Sequence, residues 1–175
     1  MREDLSTLIL GTLKGAIMKI ILPVLAAAVL LAGCSRGAGP APVTTASGFE
    51  ILTPYGPPTR PFSPAARVGN LIILSGQIGT SPDAAGGVVS GGIEAETRQT
   101  MENIRDVLTR VGSSLDRVVK CTIMMADMAE WGRMNSVYAT FFPTHKPARS
   151  AFGTSGLALN ARVEIECIAV AGDPS

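Results

Sequence analysis

Two hydrophobic periods run along the chain, in separate stretches. Between residues 94 and 111 apolar side chains recur every three or four positions, at Met101, Ile104, Leu108 and Val111, with Val107 beside them. This spacing predicts a helix from about Glu94 to Val111, stopped by Gly112. A second helix is expected from Asp127, with Trp131, Met134, Val137, Tyr138 and Phe141 as its buried stripe and Pro143 as its end. Elsewhere the period is two. Val119, Cys121, Ile123 and Met125 share one side of a strand reaching from Arg117 to Met125. In another strand Val163, Ile165, Cys167 and Ala169 share one face, and Glu164, Glu166 and Ile168 share the other.

Upstream, Phe49 to Leu52 reads as a short strand and residues 54–64 as a proline-studded loop. Arg67-Val68 and Leu71 to Ser75 form a hairpin around Gly69-Asn70, a dipeptide that tolerates positive φ. Residues 79–92 read as loop without regular structure, because Gly86-Gly87 and Gly91-Gly92 are too permissive to hold it. These glycines lack a Lys-Ser/Thr ending, which argues against a phosphate-cradling loop. The order is strand, strand pair, helix, strand, helix, two strands. It predicts an α+β fold, a two-layer sandwich of a mixed sheet with two helices on one face. One layer of helices leaves the other sheet face to be covered.

The N-terminal pattern differs from both. Residues 20–32 form an apolar run after Lys14 and Lys19, ending in Leu31-Ala32-Gly33-Cys34. At about 1.5 Å per residue this run is too short to cross a hydrocarbon core of roughly 30 Å, but it suits the core of a secretion signal. Leu-Ala-Gly-Cys resembles the bacterial lipobox, in which the cysteine thiol is lipidated and cleavage falls before it. The expected organisation is a signal peptide over 1–33 with Met18 as its true start, a lipidated flexible tether over 34–48, and one domain over 49–175. The expected location is the bacterial cell envelope, lipid-anchored through Cys34 and facing the periplasm.

Charge changes the picture once the leader is set aside. The chain has 15 Lys+Arg and 14 Asp+Glu, of which residues 1–33 hold three and two, leaving twelve of each. A neutral domain without a basic cluster argues against nucleic acid as a partner. His145 is the only histidine, and no Cys/His grouping has metal-ligand spacing, so no metal is expected. Cys121 and Cys167 lie in expected strands. An oxidising compartment permits a disulfide between them, and the expectation is two buried free thiols.

Candidate chemistry gathers near the C-terminus. An arginine just before a short strand and a glutamate within the next can sit across a cleft, where a guanidinium forks onto a carboxylate and the acid handles a proton. Arg149 and Glu164 fit that description, but on their own they fit better a solvated sheet face beside a surface arginine.

Pro147-Ala148-Arg149-Ser150 and Val163 to Val170 resemble the C-terminal signature of the RidA/YjgF family of reactive intermediate deaminases, also called the endoribonuclease L-PSP family. Gly69 to Gln77 resembles its early strand pair, and Asn135 to Phe142 its second helix. The resemblance extends roughly from Phe49 to Ala171. It implies a chorismate-mutase-like fold and a homotrimer with clefts at the subunit interfaces. It also implies hydrolysis of 2-imino acids and their enamine tautomers to 2-oxo acids and ammonia, without a cofactor. Arg149 matches the arginine that grips the substrate carboxylate, and Glu164 the acid that activates water. Ser75, Gly76, Asn135, Phe62 and Ala151 match substrate-binding positions. Two of these depart from the family: Phe62 replaces a tyrosine that closes the pocket, and Ala151 a common cysteine. The loop Gly156 to Asn160 also lacks a frequent proline. The alternative function is a non-catalytic trimeric lipoprotein that binds a 2-oxo acid. A ribonuclease is disfavoured by the single histidine and the neutral charge.

Overall fold

The structure is a computed structural model that describes residues 43–44, 48–84 and 86–172. The leader, Met18 and Cys34 lie outside the described residues. The strands are β1 (Val43–Thr44), β2 (Phe49–Leu52), β3 (Ala65–Val68), β4 (Leu71–Leu74), β5 (Gln77–Ile78), β6 (Val118–Met125), β7 (Ala148–Gly153) and β8 (Val163–Val170). The helices are α1 (Gly92–Arg110) and α2 (Trp131–Thr140). The strands form one mixed sheet in the order β1-β2-β3-β4-β8-β6-β7, with β5 also paired to β8. All the pairings are antiparallel except that of β6 with β7. This is the expected α+β architecture.

Alternation along β8 sorts its side chains. Val163, Ile165, Cys167 and Ala169 are buried beneath the helical layer, with Met101, Ile104 and Leu108 of α1 and Met134 and Val137 of α2 in the same core. Glu164, Glu166 and Ile168 take the opposite face, and the register carries that face across to Ile73 of β4 and Phe152 of β7. A network of charges ties the two helices to the start of β8. Buried Glu96 accepts from the Arg162 backbone N–H at 2.7 Å, and Arg162 Nη1 donates to Glu130. Arg133 in turn reaches Glu94 with two N–H groups.

Several expectations need correction. Val119 does not share the inner face: a register shift between Val118 and Lys120 adds a residue to one strand and turns Val119 outward, 45% exposed, while Val118 is buried. The second helix does not begin at Asp127. That side chain accepts from the Ala129 N–H and caps a 3-10 turn over Met128–Glu130, so α2 starts only at Trp131. At the first position of α2, Trp131 sits at the rim of the core rather than in it, 39% exposed. Residues 79–92 are not wholly irregular, having a 3-10 turn over Pro82–Ala84 and a bridge between Thr80 and Val88. Nor is all of 34–48 free of regular structure, because Val43–Thr44 pairs with β2.

The largest correction concerns the cysteines. Cys121 and Cys167 are directly opposed in β6 and β8, with Cα atoms 4.1 Å apart, and they form a disulfide. The alternation of each strand put both thiols on the inner face, but nothing in it said that the two strands are neighbours in this register.

Candidate functional site

The expected site residues fall into two groups, whose central residues Glu164 and Arg149 point to opposite faces of the sheet. The first is built around Glu164. As an even-numbered residue of β8 it points away from the helices, and it lies against Gly76, where the chain passes from β4 to β5. Burial, then the nearby Glu166 carboxylate, push the Glu164 carboxyl above its ordinary value. Ser75 adjoins this pair. Its Oγ donates to the Ser63 carbonyl at 2.6 Å and its N–H to the Pro64 carbonyl at 3.0 Å, so the loop carrying Phe62 is fastened beside Gly76. Gln77 Nε2 caps the Ser75 and Gly76 carbonyls. Phe62 is half exposed, with the Arg60 guanidinium 5.9 Å from its ring.

The second group is built around Arg149 on the edge strand β7. Arg149 pairs in register with Cys121, which pairs with Cys167, so its side chain belongs to the helix face, together with that of Ala151. There it meets one side of α2. Trp131, Asn135 and Tyr138 are spaced at i, i+4 and i+7, so all three face it. Arg149 Nη1 donates to Asn135 Oδ1 at 2.7 Å, and the guanidinium carbon lies 5.6 Å from the Trp131 ring and 5.1 Å from the Tyr138 ring. Such cation–π contacts fix a guanidinium without neutralising it. Among the described residues Arg149 makes no ion pair. Among the described residues the buried Tyr138 hydroxyl has no hydrogen-bond partner, and burial pushes its pKa up to about 12, with Arg149 pulling the other way.

Within one chain Arg149 and Glu164 therefore do not line a common cleft. Arg149 and Glu164 point to opposite faces, with β6 between their strands and three residue positions, about 10 Å, between their levels. Arg149 also lies within β7 rather than before it. The structure adds Trp131 and Tyr138 to the Arg149 group. The expected core place holds for Tyr138, which is buried while its ring meets Arg149, and fails for Trp131; the asparagine that interrupts the apolar stripe between them is the signal in the sequence. Among the described residues no group of three or more His, Cys, Asp or Glu is arranged to hold a metal ion.

A model of the endoribonuclease L-PSP family matches residues 54–171, two thirds of the chain. The chain belongs to that family. Every site residue of the two groups falls inside the L-PSP match, and Cys34 falls outside it. The L-PSP domain is 43% identical over 109 residues to Reactive Intermediate Deaminase A, chloroplastic, of Arabidopsis thaliana, covering 62% of this chain and 58% of that protein. It is 40% identical over 112 residues to the 2-iminobutanoate/2-iminopropanoate deaminase of Mus musculus, covering 64% of this chain and 82% of that protein. Both relatives are named as deaminases, the mouse protein as one acting on 2-imino acids. The crystal structure of the YjgF gene product of E. coli superposes with a TM-score of 0.61 at 32% identity, covering 69% of this chain and 96% of that one. The mixed sheet with two helices is thus the fold of this family.

Proposed function

We propose that this chain is an imine/enamine deaminase that hydrolyses 2-imino acids to 2-oxo acids and ammonia, in sites shared between neighbouring subunits of a homotrimer. The observation that carries the reading is the state of Arg149. Its guanidinium is held by one asparagine and two aromatic rings and has no acidic partner among the described residues, so it is free to receive a substrate carboxylate as a fork. The names of the relatives supply the reaction class.

The chemistry asks little of the protein. A protonated imine carbon beside a carboxylate is already electrophilic, so catalysis consists of orientation and a directed water. Water adds its oxygen to the imine carbon and gives a proton to the Glu164 carboxylate. The C=N π electrons move to nitrogen, leaving a carbinolamine. Glu164 returns the proton to nitrogen, the C–N bond breaks with its electron pair leaving on nitrogen, and the hydroxyl closes to the carbonyl as its proton passes to the departing ammonia. One water is consumed, and a 2-oxo acid and one ammonium are released. A raised carboxyl is suited to this exchange, because its proton affinity lies nearer the working pH. Phe62 and Ala151 would line the pocket as apolar walls.

Two features support assembly. The Arg149 and Glu164 groups occupy opposite faces of one subunit, so a substrate touching both needs two copies. The sheet face that carries Glu164 also exposes Val68, Leu71, Ile73 and Phe152, each 42–48% accessible, as an apolar surface for a neighbour. For location, the lipobox-like ending at Cys34 supports a lipid anchor, and the Cys121–Cys167 disulfide fits the oxidising side of a membrane. Fatty-acid labelling should mark the wild type and not Cys34→Ser. The catalytic reading is tested by measuring ammonia release from imines generated in situ from a panel of amino acids. Binding of 2-oxo acids without any release would favour the non-catalytic alternative.

A further inference from the structure

A cavity of about 330 Å³ lies between the proline-rich loop, β5 and α1, and the proposed reaction does not use it. Its wall includes Tyr55, Pro58, Arg60, Phe62, Gln77 and Val107. Of the residues assigned to the deaminase pocket, Phe62 alone lines it. We infer that this cavity is a second ligand site, and that it takes a small flat aromatic carboxylate.

Shape and chemistry both point there. The volume is at the lower end of ligand pockets, roughly 300–1,000 Å³, and holds about two fused rings rather than a nucleotide or peptide. Tyr55, Phe62 and the prolines offer rigid apolar walls that lose little entropy when a ring packs against them. Arg60 supplies the single cation. Among the described residues it makes no ion pair, and its guanidinium lies over the Phe62 ring, free to fork onto a carboxylate while the rings enter the cavity. The site is also held open. Tyr55 donates its hydroxyl to Asp106 Oδ2 at 2.7 Å, Arg110 Nε donates to both oxygens of Asp106, and the Arg110 guanidinium covers the Tyr55 ring at 5.1 Å. The loop is thereby pinned to α1, and that pinning does not depend on a ligand.

The probe is 2-naphthoate, whose intrinsic fluorescence reports binding to the purified full-length chain. The titration is made in the Arg149→Gln background, which removes the carboxylate grip of the deaminase pocket, and in parallel in the otherwise wild-type chain. In the Arg149→Gln chain one saturable site per subunit is expected, and adding Arg60→Gln should weaken it roughly tenfold to a hundredfold, the worth of a charge-assisted hydrogen bond; the same Arg60-dependent site is expected in the wild-type chain. Absence of saturable binding in the Arg149→Gln chain, or an affinity that Arg60→Gln leaves unchanged, would overturn the assignment. Neither readout involves imine hydrolysis, so the site stands or falls separately from the deaminase reading.

Discussion

Gly76 and Glu164 are fitted to each other: a Cβ added at residue 76 would lie 1.9 Å from Glu164 Oε1. The atom in the way is the end of a flexible side chain, so an alanine there can be accommodated, but only by moving the carboxylate. Gly76→Ala should therefore leave the melting temperature nearly unchanged while displacing the base. A displacement of about 1 Å can cost on the order of a hundredfold in rate. Ammonia release and thermal unfolding measured on the same protein check this. Unchanged release would mean that the position of Glu164 does not matter.

Glu164 also makes a prediction about pH. Its carboxyl is raised in the folded chain by burial and then by Glu166, so folding favours the protonated form. The stabilisation associated with this group is fully present below the ordinary glutamate range and is lost as pH rises through the raised folded value. Glu164→Gln is neutral throughout. Its melting temperature should exceed that of the wild type near pH 7, and the difference should close as the pH approaches 4. A glutamine variant less stable at pH 7 than at pH 4, relative to wild type, would contradict the sign.

The disulfide should be worth a measurable share of stability. It joins residues 46 apart in sequence across the neighbouring interior strands β6 and β8, and both cysteines are buried. Loss of a native disulfide typically costs about 2–5 kcal/mol. For a domain of this size that is roughly 5–20 °C in melting temperature. Thermal unfolding with and without a strong reductant tests it, with Cys121→Ala/Cys167→Ala as the matched variant. Equal melting temperatures in all three conditions would mean that the bond does not form in solution.

Arg149 separates grip from charge. Arg149→Lys keeps the cation but loses the fork and the flat surface against Trp131 and Tyr138. Imine hydrolysis should fall roughly tenfold to a hundredfold with little loss of stability. A matched loss of melting temperature would assign Arg149 a structural role instead.

Periodicity was enough for the layers of the fold. The three-to-four spacing of α1 and the alternation of β8 each named the buried face, because burial acts on every residue of those elements alike. Val119 escaped because a bulge is a property of two paired strands, and one strand's pattern does not contain its partner's register. The disulfide escaped for the same reason. Trp131 looked like core because its spacing from Met134 and Tyr138 is helical, yet the Asp127 cap delays the helix and leaves the ring at the rim beside Arg149. The separation of Arg149 and Glu164 was hidden as well. β8 showed that Glu164 faces away from the helices, but only the parallel register of β7 on β6 shows that Arg149 faces toward them.

In the proposed homotrimer each site takes Arg149 from one subunit and Glu164 from its neighbour. Co-expression of Arg149→Ala and Glu164→Gln chains, each inactive alone, tests it directly. In randomly mixed trimers about one interface in four combines an intact Arg149 with an intact Glu164 from the adjacent chain, so ammonia release should recover to about a quarter of the wild-type rate. Recovery no greater than the residual rates of the two parents, in trimers shown to be mixed, would contradict the shared site.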